Sequence, residues 1–242
     1  MKKSSQYFTE VERKNISKAV QEAELKTSAE IIPVAVTSSG RYDRAEDIIG
    51  LLIGIVVMVN VLAFMPEYDR GGVASWSDNF FQQIPFTLYL IASLIAGFMV
   101  GVIVSNRLAW LKKLFTPQIE MRDEVISNAS KIFYDQRVHH TSSESGLLIF
   151  ISFFEKRAVI LGDEKIEKDL GIDTIETLCQ KLTASLKEKK SPADSMITII
   201  EEAGSLLADS LPRNDSDENE LSDALVCLSL IHISEPTRQF AI

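Results

Sequence analysis

The chain has 242 residues, a formal net charge of −9 and a pI near 5.0. That length accommodates one domain with a real core plus membrane spans, and the acidic balance argues against nucleic acid as a partner, which calls for a basic face. Two cysteines, Cys179 and Cys227, have no metal-ligand spacing between them, so a disulfide scaffold is not expected and a reducing compartment fits.

Met1 to Arg13 is polar and has no apolar h-region, so no cleaved signal peptide is expected. Thr9 and Glu12 form the S/T-x-x-E pattern of a capping box. The helix that follows runs to about Lys26, with Ile16, Ala19, Val20 and Ala23 on one face. Glu30 to Thr37 reads as a strand rich in Ile and Val. Pro33 has no N–H to give a ladder and predicts an edge position or a bulge. Ser38, Ser39 and Gly40 break the strand.

Two uncharged apolar stretches come next, over 48–65 and 84–104. A bilayer span takes about 20 predominantly apolar residues, so residues 45–104 are expected to form a transmembrane hairpin. Gly50 with Gly54, and Gly97 with Gly101, are small-residue pairs at the helical spacing that lets two backbones approach in lipid. The joining loop, Pro66 to Gln83, holds one basic residue, Arg70. The flanks hold Arg41, Arg44, Arg107, Lys112 and Lys113. Positive residues stay on the cytoplasmic side, so both flanks are expected in the cytoplasm, with the loop on the far side of the inner membrane. Ser105 to Phe115 reads as an interfacial helix, with Trp110, Leu111, Leu114 and Phe115 at the lipid boundary and both lysines toward headgroups.

Gln118 to Gln136 predicts a helix with Val125, Ala129 and Ile132 on one face. Gly146 to Phe154 and Arg157 to Leu161 predict paired strands joined through Glu155 and Lys156. Asp163 caps a short helix and Asp173 a longer one to Lys189. Ser191, Pro192 and Asp194 then open a last helix to about Leu211. One strand cannot form a stable sheet alone, and an even number of spans returns the chain to the side it left. Residues 1–44 and 105–225 are therefore expected to form one discontinuous domain. Its fold class is α/β, a three-layer α/β/α sandwich with a small mixed sheet, interrupted by the hairpin.

Leu228 to Arg238 reads LSLIHISEPTR, similar to the conceptual translation of a transposase-based sequencing-library adapter. Residues 228–242 are set aside as a non-native tail, with the expectation that the natural C-terminus is absent.

Four stretches carry a family resemblance: Ile16 to Val36, the SGRY of Ser39 to Tyr42, Ser145 to Asp163 and Leu211 to Leu221. The chain resembles the TPM domain, found in bacterial membrane proteins and in a plant thylakoid-lumen protein. The resemblance implies an α/β/α sandwich. It also implies two properties described for relatives, divalent-cation binding and acid phosphatase activity.

Read from the residues, the C-terminal acidic loop sets Asp215, Asp217 and Asn219 in a D-x-D-x-N pattern, whose alternate oxygens can converge on a hard cation, Ca2+ or Mg2+. It is not an EF-hand, since Glu220 stands where glycine is needed and Val226 where glutamate is. Asp163 ends a strand and opens a helix, a place read as the carboxyl edge where α/β sheets build sites. Glu30 opens the first strand and Glu155 sits at the hairpin turn. The candidate metal ligands are Asp163, Asn219, Glu220 and Glu30. His139 and His140 lie in a loop, and Cys179 belongs with the core rather than with catalysis. No G-x-S-x-G, H-E-x-x-H, phosphate-loop or C-x-x-C pattern is present. Three readings follow: a membrane-tethered binding or assembly module with a divalent cation, a metal-assisted phosphatase using Asp163, and a structural partner of another membrane protein. Membrane lipids are an expected partner in all three.

Overall fold

The computed structural model describes residues 3–64, 80–138, 145–188, 190–213 and 221–228. In chain order the elements are α1 (Glu10–Glu24), β1 (Glu30–Val36), α2 (Asp43–Phe64), α3 (Phe80–Arg107), α4 (Ala109–Phe115) and α5 (Gln118–Asp135). They continue with β2 (Gly146–Ser152), β3 (Arg157–Gly162), α6 (Glu164–Leu170), α7 (Ile172–Lys187), α8 (Pro192–Ser210) and β4 (Val226–Leu228). The described residues fall into two compact units, one of those within 42–118 and one of those up to 41 together with those from 119 on.

The second unit is a mixed α/β fold around a four-stranded sheet of order β3-β2-β1-β4. β1 runs parallel to β2, with Glu30 opposite Gly146 and Val36 opposite Ser152. β4 is parallel to β1 over Val34 to Val36, and β3 is antiparallel to β2. Successive strand side chains alternate between faces. Ile31, Ala35, Leu147, Ile149, Ile151, Ala158 and Ile160 join the core shared with α1, α6, α7 and α8. Ile32, Val34, Val36, Leu148 and Phe150 pack with Val125, Ala129, Ile132 and Phe133 of α5. The three-layer α/β/α expectation is met. The central strands are buried at every position because both faces are covered.

Local signals act as the chain reads. Thr9 Oγ1 accepts from the Glu12 N–H at 3.2 Å, and the Glu12 carboxylate accepts from the Thr9 N–H at 2.7 Å. Ser191 accepts from the Asp194 N–H ahead of Pro192. Asp173, read as the cap of the longer helix, lies instead in the first turn of α7, whose cap is Gly171 at φ 78°. There a residue with no Cβ turns the chain between two helices. The β2–β3 turn begins earlier than expected, at Phe153, and ends on Lys156 at φ 52°.

Pro33 lies in a strand with neighbours on both sides, yet its missing N–H costs no ladder bond. The Glu30 N–H donates toward β2, to Ser145 O, and the Thr37 N–H donates toward β4, to Leu228 O. Odd positions of β1 therefore face β4, which begins only opposite Val34. Pro33 sits on the uncovered half of that side. β4 itself was not anticipated. Its pairing carries the sheet past the expected domain end at residue 225 and takes in Leu228, the first residue set aside as tail. Backbone groups make the ladder, so any residue that extends satisfies it; residues 229–242 lie outside the described residues.

The first unit is an antiparallel pair of apolar helices. Both α2 and the Thr87–Arg107 stretch of α3 are long and apolar enough to cross a membrane, and only 17% and 11% of their apolar windows are buried. Helices of a soluble core would be mostly buried. Their contact is built on the four glycines. A Cβ on Gly101 would lie 2.7 Å from Gly50 Cα, and one on Gly97 would lie 2.8 Å from Gly54 Cα. No larger residue permits that approach. Residues 105–118, read as part of the α/β domain, group with this helical unit. Lys112 is correspondingly not turned to headgroups: it pairs with Glu46, near the start of α2.

Among the described residues, one buried side-chain amide has both of its polar atoms unmet. Asn128 on α5 is 6% exposed, and neither its Oδ1 nor its Nδ2 makes a hydrogen bond. An unmet amide costs its desolvation in full. Asn128→Leu is expected to raise the urea midpoint, by about 1–2 kcal/mol in unfolding free energy; an unchanged or lowered midpoint would show that the amide is satisfied in solution.

Candidate functional site

Two carboxylate centres mark the two ends of the parallel strands. At the carboxyl end, Glu155 is 3% exposed. Its Oε1 accepts from the Ser39 N–H at 2.9 Å, the Ser38 hydroxyl at 3.2 Å and the Gly40 N–H at 3.4 Å. Its Oε2 accepts from the Ser152 hydroxyl, which lies 3.1 Å from Ser39 Oγ. The serines that follow β1 are thus donors to a buried anion. Charge-assisted bonds of this kind offset its desolvation.

At the amino end stands Glu24, the last residue of α1. Its Oε1 accepts from the Ile31 N–H at 2.9 Å, supplying the partner that β4 is too short to give. Oε2 is buried without a hydrogen-bond donor, and the carboxylates of Glu30 and Asp223 lie close enough to repel it. Burial first, then those two negative charges, push the Glu24 pKa up to about 8, against the opposing pull of the Ile31 N–H. A proton on Glu24 turns its contact with Asp223 from repulsion into a hydrogen bond. Asp223 also accepts from the Gln21 side chain at 2.8 Å. Glu24 was not singled out from the sequence, although a signal exists: Ile16, Val20 and Glu24 lie on one i, i+4 row of the core face.

Asp163 caps α6, with Oδ1 accepting from the Ile166 N–H at 3.1 Å and Oδ2 from the Gly146 N–H at 2.8 Å. Burial raises its pKa, while those N–H groups pull the other way. Because β3 is antiparallel, the end of β3 lies at the amino edge of β1 and β2, not the carboxyl edge read from the sequence. Glu30, paired with Gly146, is at that same edge and 9% exposed. The fold thus brings Glu30 and Asp163 to either side of Gly146. Asn219 and Glu220 lie outside the described residues, as do His139 and His140. Among the described residues, no three His, Cys, Asp or Glu side chains are grouped to hold a metal ion. Cys179 donates its thiol to Ala158 O at 3.0 Å and its pKa is raised by burial, as befits a core position.

No family model matches the chain, and a search of curated proteins gives no match. Among solved structures, the chain is similar to the BA42 protein of the psychrophilic bacterium Bizionia argentinensis, determined by NMR. The TM-score is 0.50 and the identity 18%, over 90% of this chain and 94% of that one. At that identity the likeness is one of fold, a mixed α/β architecture.

Two outcomes follow. Glu24 holds its proton more tightly folded than unfolded, so its contribution to stability is fully present below the ordinary value of 4.5 and is lost as pH rises through about 8. The unfolding midpoint should fall across that interval by the equivalent of a few kcal/mol at most. Glu24→Gln, which still accepts from Ile31, should flatten the fall; an identical slope in the variant would refute the assignment. At the other end, Glu155→Ala removes the acceptor of the Ser39 and Gly40 N–H groups, while the Ser38 hydroxyl keeps Gly40 O at 2.9 Å, and should destabilise by about 1–3 kcal/mol. Hydrogen exchange at the Ser39 and Gly40 amides should accelerate, and retained protection there would contradict the anchoring role.

Proposed function

We propose that this chain is a membrane-tethered, TPM-like module that binds or assembles with a partner membrane protein and takes a divalent cation, Ca2+ or Mg2+, at the amino edge of its sheet. The observation that carries this reading is the negative field that Glu30 and Asp223 place on the buried Glu24 beside the half of β1 that β4 leaves uncovered, although these three carboxylates are not themselves grouped as a metal-ligand set. Binding is favoured over metal-assisted phosphate hydrolysis because both Asp163 oxygens already serve backbone N–H groups as cap and strap. The two apolar helices supply the tether. Arg41, Arg44 and Arg107 at its flanks, against Arg70 alone in the loop, support an inner-membrane location with the α/β unit in the cytoplasm.

Titration of the full chain in micelles with calcium and with magnesium tests the cation. The amides of Glu24, Glu30, Asp223, Asn219 and Glu220 should shift together, and no shift with either ion would remove the cation from the reading. Turnover of a phosphomonoester that Asp163→Asn abolishes would replace binding by catalysis. A reporter fused at Gly72 should score outside the cytoplasm; a cytoplasmic score would reverse the orientation.

A further inference from the structure

α3 ends at Arg107 and α4 begins at Ala109, so Leu108 alone separates them. Leu108 leaves the helical region at φ −108°, ψ 80°, while its N–H still donates to Val104 O at 2.9 Å. The break is therefore a defined elbow and not a loose joint. Beyond it, Trp110 and Leu114 lie one helical turn apart and are 63% and 69% exposed. On α3, Val100 and Ile103 are likewise exposed apolar side chains. Arg107 precedes this face by one turn, and Lys113 lies three residues after Trp110, on the same side of the helix.

The opposite side of α4 is polar and occupied. Lys112 Nζ bonds Glu46 and, at 2.8 Å, Asn106 Oδ1. Asn106 Nδ2 returns to Glu46 at 3.2 Å, and Thr116 Oγ1 closes on Lys112 O at 2.8 Å. The Lys112 and Glu46 side chains are only 17% and 15% exposed, so this clamp is sheltered from competing water. It fixes which face of α4 turns outward.

We propose that α4 is a membrane-surface helix whose Trp110 and Leu114 enter the headgroup boundary of the bilayer that α2 and α3 span, with the Glu46–Lys112–Asn106 clamp setting its level. The inference rests on the tether reading above and adds a second mode of lipid contact to it. The occupant is lipid because α4 begins one residue after α3, whose Thr87–Arg107 stretch is long and apolar enough to cross a bilayer and is mostly exposed. Arg107 and Lys113 beside it also match anionic headgroups, and an amphipathic helix of this kind enters the interface by about 5–10 Å.

The full chain carries two tryptophans, so Trp76→Phe isolates Trp110 as the reporter. The protein is reconstituted in vesicles of zwitterionic and anionic phospholipid, with bromines placed either near the glycerol or at the bilayer centre. Blue-shifted emission, quenched by the shallow bromines and spared by the deep ones and by aqueous iodide, is the expected result. Water-like emission quenched by iodide, in protein that sediments with the vesicles, would overturn the inference and leave the tether standing. Blue-shifted emission spared by every bromine would also overturn it, since a second copy or another protein would then cover the face. Failure to sediment with vesicles would sink the tether itself. Glu46→Gln should broaden the depth profile without releasing the chain, and an unchanged profile would remove the clamp from the proposal.

Discussion

β1 and β2 lie side by side in parallel, with Glu30 opposite Gly146 and Val36 opposite Ser152, and the rest of the molecule depends on that pairing. A parallel pair requires the chain to leave at one end of the sheet and re-enter at the other. Here the crossover contains both apolar helices, α4 and α5. Only an even number of membrane crossings lets β2 return to the side where β1 waits. The pairing thus ties span number to sheet integrity: a hairpin is compatible with the sheet and a single span is not. It also places an insertion where loop-closure cost grows only slowly with length.

Much of this was legible because strong periodicities and local chemistry agree. The i, i+4 apolar rows of α1, α5, α7 and α8, the Thr9–Glu12 box and the Ser191–Pro192 start each encode their element through contacts within a few residues. What escaped was set by partners distant in sequence. β4 is three residues long, and nothing in Val226–Leu228 distinguishes it from a loop until β1 offers an edge. Pro33 was read as the mark of an edge strand or a bulge, but β1 is a central strand, and the half of its β4 side that β4 does not reach meets the missing N–H instead. Asp163 was placed at the wrong edge because strand direction, not composition, decides which end of the sheet a strand's last residue reaches.

The unit of two apolar helices shows the same division. The glycine pairs were visible as a helical spacing, and the close backbone approach follows directly from it. Lys112 was read by its charge, which favours water and headgroups. A carboxylate and an amide, from α2 and the end of α3, meet it inside the unit instead. A buried ion pair adds little net stability against an apolar substitute, but breaking one partner is costly. Such a pair therefore works better as a device for orientation than for stability.

The candidate site turns on the contrast between two glutamates at opposite ends of the same parallel strands. Glu155 and Glu24 are both nearly inaccessible, yet the fold gives Glu155 four donors and gives Glu24 one backbone N–H and two negative neighbours. Any positive charge arriving near Glu155 would compete with hydrogen bonds already made. One arriving near Glu24 would relieve a repulsion that the fold itself maintains, whether it is a proton or a divalent ion. The raised pKa of Glu24 is the expression of that uncompensated field. Pro33 and the short β4 keep that edge open, so the feature that leaves β1 half covered is also what leaves its acidic end available.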